Sequence, residues 1–291
     1  MKKISISTIF DHAILIAGAL FLLMPLWIAL CSSTHAPEYI AQNGVQFWFG
    51  DKFVETYSQL LSGSAGILES ASEHNIKATS GAVMLKNSVI LGLGFAIGKI
   101  ILSMMAAYAI VYFRFPLGGW FFWIIFSSLL LPLEVRIIPS YEVVAKLHLV
   151  NTYTGLILPL IASATATFFF RQFYLSVPEE LIEAARLDNA GPFRFFKDIL
   201  FPLSKTMIAA IFIIMFVVGW NQYLWPILMT TDSSFKTLLL GIKDIVNVMN
   251  EGKIPAYNRV FALAVLSVVP PVLIVVIFQK WFIKGLVESD K

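Results

Sequence analysis

Six stretches of this chain are each long and apolar enough to cross a bilayer, and that decides most of what it can fold into. They run over about 12–32, 87–112, 118–139, 151–173, 206–230 and 260–283. One crossing takes about 20 predominantly apolar residues. Hydrocarbon offers no water to backbone N–H and C=O groups, so each crossing must satisfy them within itself, as a helix does. Composition points the same way. Apolar residues make up 58% of the chain and charged residues 13%, with a mean hydropathy of +0.80. Soluble domains carry about 25% charged residues. The expectation is an all-α membrane protein with one domain over residues 1–291.

The first run, Ala13 to Leu30, is too long for a signal-peptide core, and no small-x-small cleavage site follows it promptly. Pro25 and Trp27 lie in its far end, so it reads as a retained span. The second carries Gly92, Gly94, Gly98, Ala106 and Ala107, which suits close helix packing. In the sixth, Pro270-Pro271 is expected to break the helix. Between the first two lies a polar loop over 34–83, long enough for a little structure of its own.

Several chemistries are excluded. A net charge of +3 gives no argument for nucleic acid. One cysteine, Cys31, allows neither an internal disulfide framework nor a cysteine metal site. His12, His35, His74 and His148 show no ligand spacing, so no metal is expected. There is no nucleophile constellation and no G-x-x-x-x-G-K-[ST] phosphate loop. The chain is therefore expected to hold no catalytic residue and no cofactor of its own.

Six spans place both termini on one side. Lys and Arg bias that side. Lys2, Lys3, Arg114, Arg171, Arg186, Arg194, Lys197, Lys205, Lys280, Lys284 and Lys291 fall on the face of the termini. Lys52, Lys77, Lys86, Lys146, Lys236, Lys243, Lys253 and Arg259 fall on the other, spread over many more residues. The termini and the 176–205 loop are expected to be cytoplasmic, and 34–83 an outer loop.

That cytoplasmic loop is the one charge-dense segment between apolar runs, and it reads as two short helices. Ser176 followed by Glu179 has the spacing of a capping box, and Pro178 suits a first turn. Leu181, Ala184, Ala185 and Asp188 recur at helical spacing, and Asn189 can take the left-handed conformation that ends a helix. Gly191-Pro192 opens the second helix, with Phe193, Phe196 and Leu200 on one side and Pro202 as its stop. A small face at Ala184 and Ala185 permits close approach by another element.

Two further words bring polar groups to membrane depth. In the third span, Glu134 and Arg136 stand two residues apart, so on a helix they do not face each other and each needs another partner. Either they meet headgroups and water at the span end, or Arg136 faces a translocation path, where its fork suits a phosphate or carboxylate. In the fifth span, Asn221, Gln222 and Tyr223 must find partners, across helices or in a substrate cavity.

Glu183-Ala184-Ala185, then Asp188-Asn189-Ala190, then Ile199-Leu-Phe201-Pro202 resembles the "EAA" loop of permease subunits of bacterial ATP-binding-cassette importers. That pattern is roughly E-A-A-x-x-x-G, nine residues, I-x-L-P, between the fourth and fifth of six spans. Here Asn189 stands for the usual Gly and Phe201 for the usual Leu. The resemblance implies the type I importer permease fold with six transmembrane helices. It also implies that Leu181 to Asn189 form a coupling helix seated in an ATPase groove, with Glu183 as its charged anchor. By the same resemblance the chain sits in the bacterial inner membrane and pairs with a second, different permease. An ATPase homodimer using ATP and Mg docks below, and an extracytoplasmic binding protein delivers substrate. Further words, including Leu131-Pro-Leu-Glu-Val-Arg-Ile137, Phe170-Arg-Gln-Phe173 and Gly219-Trp-Asn-Gln-Tyr-Leu-Trp-Pro226, resemble one subgroup, the glycerol-3-phosphate permeases. These belong to the wider sugar-permease group that includes the maltose system. A sugar or oligosaccharide is the alternative substrate, and an ion-coupled secondary carrier the rival class.

Overall fold

The computed structural model describes residues 6–62, 79–113, 115–247 and 256–288. Lys2, Lys3, Lys77, Arg114, Lys253 and Lys291 of the charge bias, and His74, lie outside the described residues.

The described residues are helical and contain no strand. In chain order the helices are α1 (Ile6–Ser32), α2 (Pro37–Asn43), α3 (Phe53–Ser62), α4 (Gly81–Tyr112) and α5 (Gly118–Ser127). There follow α6 (Leu133–Lys146), α7 (Tyr153–Ile157), α8 (Ala164–Leu175), α9 (Glu179–Leu187) and α10 (Pro192–Phe195). The last are α11 (Phe201–Leu203), α12 (Lys205–Trp220), α13 (Leu224–Met229), α14 (Leu238–Asn247) and α15 (Tyr257–Glu288).

Three helices are long and apolar enough to cross a membrane by themselves: Phe10–Ser32, Gly81–Tyr112 and Tyr257–Trp281. Three more candidates are bent pairs. Gly118–Leu130 and Glu134–Lys146 meet at 106°, Tyr153–Leu160 and Ala164–Leu175 at 51°, and Pro192–Leu203 and Lys205–Trp220 at 72°. The bends fall where the sequence denies the helix a continuous ladder. Pro132 has extended backbone and begins α6, and Ser163 is extended and caps α8 through its hydroxyl, which accepts the Ala166 N–H at 3.2 Å.

Pro270 and Pro271 do not break α15, which is continuous through both. A proline removes one ladder bond but its fixed φ is helical, and spanning helices tolerate it.

The chain forms two compact units. One comprises 1–85 and 238–269. In it, the 34–62 segment folds back on the end of α1. Ser32, Ser33 and Thr34 are fully buried there, Thr34 Oγ1 accepts the Gly50 N–H at 2.6 Å, and Trp27 Nε1 donates to the Phe47 carbonyl at 3.0 Å. Asn258 Nδ2 donates to Thr56 Oγ1 at 3.1 Å, tying α15 to α3.

The other unit comprises 86–237 and 270–291. Its core gathers Leu91, Phe95, Ile137, Val144, Leu156, Leu160, Trp225 and Met229 from α4, α6, the α7 region and α13. The glycines of α4 admit close neighbours, as their spacing suggests: a Cβ at Gly94 or Gly98 would strike Ile157 or Ile161. Asn87 spans two elements. Its Nδ2 donates to the Ser234 and Lys236 carbonyls, and its Oδ1 accepts the Tyr153 hydroxyl at 2.7 Å.

Candidate functional site

The charged loop folds as two short helices at the end of α4. Glu179 and Glu180 occupy the first turn of α9 and Arg186 the last, the charge order a helix dipole favours. The expected capping box is not formed. Pro178 is the N-cap, and no side chain caps the helix. Ser176 instead closes the preceding helix, its hydroxyl donating to the Phe173 carbonyl at 2.7 Å. The chain between Leu175 and Pro178 is too short for one serine to serve both ends.

The other end closes as the sequence suggests. Asn189 has φ +53°, its N–H meets the Arg186 carbonyl at 3.0 Å, and the Ala190 N–H meets the Ala185 carbonyl at 2.9 Å. These two bonds are a Schellman motif with asparagine in the left-handed position. Asn189→Gly is therefore expected to leave stability unchanged or slightly raised. Asn189→Val should cost about 1–3 kcal/mol, read as a fall in the thermal midpoint of the purified chain.

The helical spacing proposed for Leu181, Ala184, Ala185 and Asp188 divides between two faces. Ala185 is buried, whereas Leu181, Glu183, Ala184, Asp188 and Asn189 are exposed. Ala185, Ile182 and Ala190 face a cavity of about 160 Å³ that Tyr108, Tyr112, Pro192 and Phe195 also line. Tyr108 donates to the Pro192 carbonyl at 2.8 Å, Tyr112 to the Tyr174 carbonyl at 3.1 Å, and both rings contact Phe195. The outward face carries large apolar side chains, with Leu187 88% and Phe193 77% exposed.

The second helix also departs from its sequence pattern. Phe195, not Phe193, is buried with Leu200, because residues 196–200 form a π-turn that shifts the register. Pro202 does not stop it. The helix runs on through the proline to Leu203, and the turn comes at buried Ser204, whose hydroxyl donates to the Leu200 carbonyl at 2.6 Å.

The two polar words of the spans lie at helix breaks. Glu134 is exposed in the first turn of α6, where the helix dipole meets its charge. Arg136 is exposed and has no carboxylate within ion-pair distance among the described residues. The fifth span does not run helical to Thr230. It ends at Trp220, and Asn221, Gln222 and Tyr223 form the break before α13. The Asn221 N–H bonds the Val217 carbonyl at 3.0 Å, the Gln222 N–H bonds that of Gly219 at 3.2 Å, and Gln222 Nε2 donates to that of Val218 at 3.2 Å. Asn221 is exposed, while Gln222 and Tyr223 are half-buried. Beyond the break, fully buried Trp225 donates from Nε1 to the Leu156 carbonyl at 3.1 Å.

One residue that the span reading passed over belongs with these. Lys99 is half-buried near the middle of α4, its Nζ 4.0 Å from the centroid of the Phe95 ring. Lys99 also has no carboxylate at ion-pair distance among the described residues, and Arg136 is near enough for the two charges to act on each other. Phe95 shares the core with Ile137, and a Cβ on Gly219 would come within 2.7 Å of it. Lys99 and the end of α12 at Gly219 thus both meet Phe95, which shares its core with Ile137, the residue after Arg136. A lone lysine in an otherwise uncharged Gly-rich span was the available signal. Such a charge costs about 2.5–3.5 kcal/mol on insertion scales and marks function by default.

The comparisons agree with this architecture. The family model for the binding-protein-dependent transport system inner membrane component matches residues 99–288. Relatives named sn-glycerol-3-phosphate transport system permease protein UgpE include that of Brucella melitensis, 46% identical over 98% of each chain. That of Rhizobium meliloti is 45% identical over 100% of each, and that of Yersinia pestis 46% over 97% of each. In fold, the chain is similar to a solved bacterial ABC transporter involved in the import of the acidic polysaccharide alginate, with a TM-score of 0.75 and 20% identity over 97% of this chain and 100% of that one. Its helical spans, its paired loop helices and these matches together place the chain in the family of inner membrane components of binding-protein-dependent transport systems.

Proposed function

We propose that this chain is one permease half of an ATP-driven importer for sn-glycerol-3-phosphate, oriented with both termini and α9 in the cytoplasm. The observation that carries the substrate is full-length identity near 45% to permeases named for it. Exposed Arg136, with no carboxylate at ion-pair distance among the described residues, suits an anion, since a guanidinium fork matches phosphate geometry. Asn221, Gln222 and Tyr223 are assigned to the same path because a helix break frees polar groups to face a cavity. Glu134, two residues before Arg136, would lie at the path's edge.

The remaining partners follow from energetics. The family works with a binding protein, and this sequence has no nucleotide-binding motif, so ATP and Mg act on a separate ATPase dimer. A second, different permease would complete the pathway and cover α1, whose apolar side chains are almost wholly exposed. The face of Leu181, Glu183, Ala184, Asp188 and Asn189 on α9 would seat in the ATPase. Exposed Leu187 and Phe193 favour that, because uncovered apolar side chains on a water-facing segment mark a docking surface.

The test is uptake in a strain lacking this chain and restored with it, using labelled glycerol-3-phosphate and a neutral disaccharide in parallel. Restored uptake of the phosphate ester alone is expected. Restored uptake of the disaccharide alone would replace the substrate, and uptake of either without a nucleotide-binding subunit would remove the ATP-driven reading.

A further inference from the structure

We propose that Lys99 is a substrate-binding residue, supplying with Arg136 the second of two cations that receive the phosphate group during transit; this rests on the substrate proposed above. Lys99 lies 18 residues from the start of α4 at Gly81 and 13 from its end at Tyr112. At 1.5 Å per residue it is about 20 Å or more from either end. The whole helix is about 48 Å long against about 30 Å of hydrocarbon, so Lys99 near its middle falls within the apolar layer, with its ammonium held over the Phe95 ring.

The charge must be met inside the protein or by a ligand. Among the described residues no carboxylate pairs with it, and the neighbouring charge, Arg136, is a cation. Two like charges repel most at membrane depth, where little water screens them. The Phe95 ring face, 4.0 Å from Nζ, offsets part of this cost and fixes the direction of the ammonium without neutralising it. A fold that needed only packing there would hold a leucine. An unneutralised cation pair is suited instead to a ligand of charge near −2, as a phosphate monoester is at neutral pH.

Placement gives the pair a path to act along. Phe95 packs on Gly219, one residue before α12 ends at Trp220, and shares a core with Ile137, next to Arg136. Movement of α12 relative to α4 would alter the cradle around Lys99.

The experiment uses the complete importer with its binding protein in proteoliposomes, carrying Lys99→Met, Lys99→Gln or Lys99→Arg. Glycerol-3-phosphate uptake is measured as a function of concentration, with assembly read by co-purification. The neutral variants are expected to lose 10-fold or more in uptake efficiency, the scale of a lost charge-assisted contact, while Lys99→Arg stays within about 5-fold of the unaltered complex. Uptake by an assembled neutral variant within about 2-fold of the unaltered complex would overturn the proposal. So would assembly of Lys99→Arg alone, since Lys99 would then serve folding, or an arginine variant as impaired as the neutral ones. Should the unaltered complex fail to take up glycerol-3-phosphate, the substrate reading falls first and this inference with it.

Discussion

Glu183→Arg is expected to reduce ATP-driven uptake by about 100-fold or more while the chain still inserts and α9 still folds. The two effects separate because Glu183 is exposed and α9 is held from its opposite face. Ala185 is the buried contact, and the hydrogen bonds and rings that fix the loop come from Tyr108, Tyr112, Tyr174 and Phe195. A surface substitution away from such contacts changes stability by no more than about 0.5 kcal/mol. Coupling responds to a different quantity. Where a docked charge is reversed against its partner, losses of about 2–5 kcal/mol are usual, or roughly 30-fold to several thousandfold in occupancy. Uptake and co-purification of the ATPase subunits are the measurements. If both stay within about 2-fold of the unaltered importer, α9 does not couple through Glu183.

The second large effect is structural. Trp225→Ala should destabilise the chain by about 3–5 kcal/mol, the usual cost of emptying a large aromatic site. Trp225 is fully buried, and its indole N–H bridges to the Gly155 and Leu156 carbonyls across the start of the α7 region. That contact fixes α13, and with it the far side of the break that holds Asn221, Gln222 and Tyr223. A Cβ on Gly155 would collide with the Leu149 carbonyl, so the backbone that accepts the indole has no room to follow a shrinking side chain. Trp225→Phe keeps most of the volume and loses the hydrogen bond, so it should cost about 1–3 kcal/mol. Thermal midpoints in detergent, followed by intrinsic fluorescence of the remaining tryptophans, give the comparison. An alanine variant within about 2 °C of the unaltered chain would show that α13 is held by something else.

Legibility in the sequence differed by element for physical reasons. A 20-residue apolar run has one stable solution in a bilayer, so α1, α4 and α15 could be placed from composition alone. Asn189 could be read as a helix end because the left-handed conformation is strongly restricted by residue type. Where several local solutions compete, the pattern was insufficient. Ser176 had two helix ends within reach and serves the earlier one. Ala184 and Ala185 are equally small, and only the packing of Tyr108 and Tyr112 beneath the helix selects Ala185 as the inner residue. The π-turn at 196–200 moves the buried position from Phe193 to Phe195, because one extra residue per turn rotates everything before it.

The sequence by itself determined a helical membrane chain, its charged loop and the absence of a nucleotide motif, because those follow from solvent, length and residue chemistry. Only the tertiary structure decided which residues of that loop face inward, where the long runs bend, and that the Lys99 ammonium lies over the Phe95 ring. Those outcomes depend on contacts between residues far apart in the chain: α4 meets the loop through Tyr108 and Pro192, and meets α12 through Phe95 and Gly219. Helical period states which residues share a face of one helix. Which face is covered, and by what, is set by the neighbour that packs against it.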